Sequence, residues 1–339
     1  MKVAVLSPIA WRTPPVKYGP WEQVASNIAE GLIDNKIDVT LFATGNSITN
    51  GRLEYVTRQG YAENPEIDPK VWECLHISNL MEQADTFDII HNHFDFLPLT
   101  YSRLIKTPIL TTIHGFSSLK ILPAYKKYNN DNYYVSISNS DRSPELDYIA
   151  TIYNGINTDE FTFREAAKEY LLFFGRIHPD KGTYESIRIA KKSGRKLIIS
   201  GLIQDQEYFD SKVEPFINDD DILYVGNSGP EERDKLLGEA HALLHPISFK
   251  EPFGLSVAES MMCGTPVIAF NLGSMPELII DGETGFLVQT IEEAAEAVNI
   301  IKTIDRNSCR EWALSKFSRE KMTEDYLQTY KQILKLQQA

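Results

Sequence analysis

Short apolar runs alternate with stretches of helical spacing along most of this chain. Lys2 to Ser7 is rich in Val and Leu, the pattern of a parallel strand buried on both faces. A loop follows, carrying Pro14, Pro15 and Y-G-P-W around Gly19. Glu22 to Ile33 then sets Val24, Ile28 and Leu32 on one helical face, and Ile37 to Ala43 is again strand-like. Strand, loop, helix and strand make a first βαβ unit. The pattern returns at Tyr170 to Phe174, through the loop G-R-I-H-P-D-K-G and a helix from Thr183 to Lys192, to a strand at Lys196 to Ser200. Further strands are expected at Phe87 to His91, Pro108 to Ile113, Ile222 to Val225 and Val267 to Phe270, and Ala242 to His245 leads into the segment that follows. A helix is expected at Glu231 to Leu237, and residues 45 to 80 read as loop and helix. The last stretch, Phe317 to Leu334, carries Met322, Tyr326 and Tyr330 at helical spacing, an apolar stripe that reads as core. Asn154-Gly155 marks a turn and a domain boundary. The fold class is therefore α/β, in two halves.

At 339 residues, 42% apolar and 24% charged, the chain has room for two globular domains. No run of eighteen apolar residues occurs, so no membrane span is expected. The opening M-K-V-A-V-L-S-P is too short and strand-like for a signal peptide. Cys74, Cys263 and Cys309 are scattered and odd in number, fitting a reducing, cytoplasmic setting better than a disulfide framework or metal cluster. A net charge of −13 argues against nucleic-acid partners. It leaves room for a small anion held by a local cluster of Arg and Lys.

Candidate chemistry concentrates in Ser248 to Gly264, S-F-K-E-P-F-G-L-S-V-A-E-S-M-M-C-G. A loop passes into a short helix, Leu255 to Cys263, which Gly264 closes and Pro266 stops. Glu251 sits in the loop and Glu259 about a turn inside the helix. The N–H groups of Phe253, Gly254 and Leu255 point out of the helix start, where anionic or hydroxyl-rich groups bind. Arg176 and Lys181, five apart in the loop after a strand, can converge on one anion. The first βαβ loop lacks G-x-G-x-x-G, which counts against a dehydrogenase. His91 and His93 have no further ligand nearby and read as a polar strand end. His114 stands at the C-terminal edge of a strand, where open α/β sheets bind ligands.

The spelling E-P-F-G-L-S-V-A-E, followed by M-C-G-T-P-V-I-A, resembles the signature of the retaining, nucleotide-sugar-dependent glycosyltransferases of family four, group 1. Segments at Tyr133 to Ser138 with Asp141-Arg142, at I-A-T-I-Y-N-G-I, and at D-G-E-T-G-F-L (281–287) extend it, with Asn157 in place of a usual aspartate. The resemblance implies the GT-B architecture, two Rossmann-like domains facing across a cleft with a C-terminal helix crossing back to the first. It implies an acceptor-binding domain over 1–154, a nucleotide-sugar domain over 155–316 and the returning helix over 317–339. Arg176 and Lys181 would bind the donor diphosphate, Glu251 sugar hydroxyls and Glu259 the ribose, and His114 would contact the transferred sugar. Gly19 would face the diphosphate, although Pro20 has no N–H to offer beside it. Val225 and Gly226 would flank the base, and the start of the helix at Phe253, Gly254 and Leu255 would meet the phosphate. Preorganised donors of this kind can replace a metal, so neither metal nor cofactor is expected.

The expected reaction moves a hexosyl group to a hydroxyl acceptor. The acceptor would be read by loops near 9–20, 45–70 and 115–130, and could be a sugar, a small metabolite or a lipid head group. Lys120, Lys126 and Lys127 beside Ile121, Leu122 and Tyr125 read as a solvated loop, with peripheral membrane contact the lesser alternative. A sugar phosphorylase, a nucleotide-sugar epimerase and a non-catalytic nucleotide-sugar-binding protein of the same fold are the competing readings.

Overall fold

The computed structural model describes residues 1–116, 118–218 and 220–338. Ser117, inside the 115–130 segment, lies outside the described residues, as do Asp219 and Ala339. Packing divides the chain into two compact units, Met1–Gly155 with Arg319–Ala339, and Ile156–Ser318.

In the first unit β1 (Lys2–Leu6), α1 (Pro20–Asp34), β2 (Asp38–Phe42), β3 (Arg52–Glu54), α2 (Pro69–Met81), β4 (Ile89–Asn92), β5 (Ile109–Ile113), α3 (Leu122–Lys127), β6 (Tyr133–Ser136) and β7 (Tyr148–Thr151) follow in order. The strands form one parallel sheet, β3-β2-β1-β4-β5-β6-β7. The second unit has β8 (Tyr170–Phe174), α4 (Thr183–Ser193), β9 (Lys196–Ser200), α5 (Gln206–Tyr208), β10 (Ile222–Tyr224), α6 (Pro230–Glu239), β11 (Ala242–His245), α7 (Leu255–Met262), β12 (Val267–Phe270), α8 (Met275–Leu278), β13 (Gly285–Val288), α9 (Ile291–Ile300) and α10 (Arg306–Phe317). Its parallel sheet runs β10-β9-β8-β11-β12-β13. Strand order reverses between β1 and β4 in one sheet and between β8 and β11 in the other. Loops that leave such a switch point diverge and open a crevice at the strands' C-terminal ends.

The final helix differs from its expected form. The stretch from Phe317 is not one helix, because the chain breaks at Ser318, whose φ of −75° and ψ of 151° are extended. Phe317 stays with the second unit, 5.7 Å from the Phe253 ring and 6.2 Å from that of Trp312. The helix that returns to the first unit is α11 (Arg319–Gln338). It lies against α1 at Gly31, where an added Cβ would fall 2.1 Å from Thr323 Oγ1. Only a glycine lets the two helices approach so closely. Two short strands, β3 and β13, lie where loop, helix and turn were expected. Each is an edge strand of three or four residues, too short for a pattern of alternation.

The stretch around Lys120, Lys126 and Lys127, expected as a solvated loop, forms α3 from Leu122, with Tyr125 buried and Lys126 paired with Glu145. The described residues include no helix long and apolar enough to cross a membrane.

Candidate active site

The crevice end of the second sheet gathers most of the predicted residues. The loop leaving β8 holds Arg176 and Lys181, and the loop leaving β11 holds Glu251. They meet because Gly182 has φ +75°, and a Cβ there would sit 2.0 Å from the Pro246 carbonyl oxygen. The Ser248 N–H also donates to the Asp180 carbonyl at 2.9 Å. Lys181 Nζ bonds Glu251 Oε2 and lies 4.8 Å from the centre of the Phe249 ring. Glu251 is 8% exposed, with His245 Nε2 3.6 Å from the same oxygen. Burial pushes its carboxyl up, but His245 and Lys181 outweigh that and hold it down at about 2. Glu251 is therefore an anion at neutral pH, an acceptor of hydrogen bonds with no proton to give.

Arg176 lies apart from this pair. Its Nη2 bonds Asp180 Oδ2 at 2.7 Å and its Nη1 donates to Gln204. The two cations expected to share one anion are thus each held by a carboxylate of their own. The Asp180 backbone N–H donates to His178 Nδ1 at 3.3 Å, and that nitrogen also lies 2.7 Å from Asp180 Oδ1.

Gly254, with φ +91°, caps α7, and the amides of Val257 and Ala258 donate back to its carbonyl. The amides of Leu255 and Ser256 precede that first internal bond, so they have no helical partner. Phe253 is buried, its carbonyl accepting from Ser274 Oγ at 2.7 Å. Glu259 lies one turn further in and is buried, accepting from Arg233 Nη1 at 3.3 Å. Arg233 Nη2 bonds Glu160 at 2.8 Å. Burial raises the pKa of Glu259, with Arg233 opposing and Glu160 adding to the rise. Val225 is 38% exposed at the end of β10, and Gly226 accepts from the Gly201 N–H and from Ser200 Oγ. Those contacts put the β10 and β9 loops side by side.

In the first unit, Gly19 is the N-cap of α1 and Pro20 its first residue. At that position the missing N–H costs the helix nothing. His114 follows β5 and is 8% exposed, stacked on Trp21 with ring centres 5.5 Å apart and planes 23° apart. His114 Nε2 is 2.9 Å from His93 Nδ1. His91 and His93 stand at the C-terminal end of β4, the polar strand end that was expected, and both are fully buried. The reason lies in α11. Tyr330 OH is 2.7 Å from His91 Nδ1, Thr112 Oγ1 is 2.8 Å from His91 Nε2, and Tyr326 OH is 2.7 Å from Thr112 Oγ1. Burial lowers His91 and His114 to about 3, and His93 well below its usual value.

Sequence reasoning missed Asp180, His245, Arg233 and Trp21. Asp180 and His245 stand in segments already singled out, one in the R-I-H-P-D-K-G loop and one at the end of a strand. Arg233 and Trp21 belong to helices whose facing could not be read from spacing alone. No group of His, Cys, Asp and Glu among the described residues is arranged to hold a metal ion.

Two open parallel sheets, each with a switch point in its strand order and the second with charged groups at its strand ends, define an α/β protein of the doubly wound kind. A family model described as "Glycosyl transferases group 1" matches residues 157–319, and one described as "Glycosyltransferase Family 4" matches residues 21–160. Between them they span the chain from 21 to 319, and the protein belongs to this glycosyltransferase family, with the GT-B fold. It is 25% identical to an uncharacterized glycosyltransferase of Methanocaldococcus jannaschii, over 82% of this chain and 83% of that one. Sucrose-phosphate synthase from Thermosynechococcus elongatus has a similar structure, with a TM-score of 0.80 at 18% identity, over 99% of this chain and all of the other. Anabaena HepE in complex with UDP-glucose gives a TM-score of 0.74 at 17% identity, covering 98% of this chain and 100% of that one.

Proposed function

We propose that this glycosyltransferase moves a hexosyl group from a nucleoside diphosphate sugar to a hydroxyl acceptor, with retention of anomeric configuration and without a metal. The observation that carries the reading is the pairing of half-buried Lys181 with buried Glu251 at the switch point of the second sheet, close in sequence to the start of α7. Burying a cation and an anion together costs more than leaving them in water unless their charges are used. A diphosphate leaving group would use them. Lys181, Arg176 and the free amides at the start of α7 supply fixed positive charge where negative charge grows as the glycosyl bond breaks. Such donors perform the task a divalent cation would otherwise perform.

Glu251, held as an anion, accepts from sugar hydroxyls as Lys181 turns to phosphate. Glu259 accepts from the ribose, with Phe253, Gly254 and Leu255 lining the phosphate and Val225 and Gly226 beside the base. In the first unit, Gly19 takes the diphosphate side of α1 and His114 the transferred sugar. A neutral His114 donates or accepts one hydrogen bond and does not act as a cationic acid. The complex of HepE with UDP-glucose supports a nucleotide sugar as the donor class.

The test is thermal unfolding with UDP, GDP and ADP separately, each with a chelator present. A ligand at about 100 times its Kd adds roughly 2.7 kcal/mol to stability. One nucleotide should raise the midpoint without metal, and Arg176→Ala should abolish the rise. The product's anomeric proton coupling then reports retention. No shift with any of the three nucleotides would remove the donor site from this chain, and transfer at the normal rate by Glu251→Ala would remove the role of Glu251.

A further inference from the structure

Three histidines crowd the C-terminal ends of β4 and β5, and only one of them has an assigned role. Each neutral imidazole carries one N–H, so their contacts constrain where the protons lie. His91 has both nitrogens engaged, Nδ1 with Tyr330 OH and Nε2 with Thr112 Oγ1. His93 packs on it with ring centres 4.1 Å apart, and His93 Nε2 is buried with no hydrogen-bond partner. The other nitrogen of His93, Nδ1, meets His114 Nε2 at 2.9 Å.

One proton lies in that last contact, and there are two ways to place it. In the first, His114 donates from Nε2, and the proton of His93 is then on its own Nε2. That N–H would be buried without an acceptor, since the nitrogens of the adjacent His91 are already taken. In the second, His93 donates from Nδ1, and only a lone pair is left without a partner. A buried N–H with no acceptor is the rarer and costlier defect. Trp21 stacks on the His114 ring, whose Nε2 is directed at His93.

We infer that His93 is a positioning residue for glycosyl transfer. It donates its Nδ1 proton to His114 Nε2 and so holds His114 as the neutral tautomer that carries its own proton on Nδ1. The reactive-site histidine is thereby a hydrogen-bond donor, selecting an oxygen acceptor on the sugar. The inference rests on the reading that His114 contacts the transferred sugar.

The experiment uses the full chain labelled with 15N-histidine, in long-range proton–nitrogen correlation spectra at pH 7. The His114 signals are identified by their loss in His114→Asn. His114 should show a protonated Nδ1 and an unprotonated Nε2. A protonated Nε2 in the wild-type protein overturns the inference, whatever the variants do. His93→Asn places an amide donor where Nδ1 stood, and should keep both the tautomer and kcat. His93→Leu removes the donor, should give a mixture of tautomers, and should lower kcat about tenfold to a hundredfold with little change in the KM for the donor. Equal losses in His93→Asn and His93→Leu would mean that His93 acts through packing, against the inference. If His114→Ala transfers at the wild-type rate, the sugar contact itself is wrong and the inference falls with it. If His114→Ala is slow while Nε2 carries the proton, the sugar contact stands and the inference alone fails.

Discussion

Acidification from pH 7 to pH 5 should destabilise the first unit by about 5 kcal/mol. Four of the seven histidines, His76, His91, His93 and His114, are buried in that unit. Burial holds His76 at about 4, His91 and His114 at about 3, and His93 well below its usual value. An unfolded histidine titrates near 6.5, so below that pH the unfolded chain binds protons that the folded unit refuses. Each such group costs about 2 kcal/mol between pH 7 and pH 5, and the four together cost about 7 to 8 kcal/mol. Glu22 works the other way. Its burial raises it to about 7, so the folded unit takes up a proton that the unfolded chain accepts only near pH 4, returning about 2 kcal/mol over the same interval. Glu73, also raised by burial, adds in the same direction as Glu22.

The remaining loss is comparable to the whole stability of many domains. Urea unfolding followed by tryptophan fluorescence measures it, because Trp11, Trp21 and Trp72 lie in the first unit and only Trp312 in the second. With a slope of about 2 kcal/mol per M, the midpoint should fall by about 2.5 M. His76→Gln keeps a donor for the Ser7 carbonyl, which His76 Nε2 meets at 2.9 Å, and should recover about a quarter of the histidine cost. A midpoint unchanged between pH 7 and pH 5 would show that these histidines protonate in the folded state, and would refute the picture of a neutral, buried cluster.

Three other perturbations bear on the second unit. Lys181→Met leaves Glu251 buried without its cation and should cost about 3–5 kcal/mol at pH 7. With His245 as its remaining partner, Glu251 then titrates higher than in the wild type, so part of the loss should be relieved on acidification from pH 5 to pH 3, visible as a smaller gap in Tm to the wild type; a gap that widens would contradict this. Arg233→Met removes the guanidinium that opposes the raised pKa of Glu259, and should weaken the stabilising nucleotide about tenfold, more at pH 6 than at pH 8, by titration calorimetry. Gly182→Ala forces a Cβ toward the Pro246 carbonyl in a left-handed backbone conformation, and should cost at least about 2 kcal/mol and most of the transfer activity. A melting temperature within a degree of the wild type would refute that.

Much of the architecture is legible in the chain because parallel strands buried on both faces are written as uninterrupted apolar runs. Tyr170–Phe174, Lys196–Ser200 and Val267–Phe270 have the same limits in the structure as in the pattern. Edge strands such as Arg52–Glu54 leave no comparable trace, because they are short and only partly buried. The site divides along a similar line. Lys181 and Glu251 were identified by their spelling, but not as partners, since seventy residues separate them and only the close approach at Gly182 joins their loops. The most instructive case is α11. Its stripe of Met322, Tyr326 and Tyr330 reads correctly as core, yet two of those side chains end in hydroxyls that a buried environment must satisfy. The demand is met by Thr112 and His91, residues more than two hundred positions away. Tyrosines at helical spacing and histidines at a strand end are two unremarkable patterns when read separately. Each is the condition for burying the other, and periodicity along a chain carries no information about such a pairing.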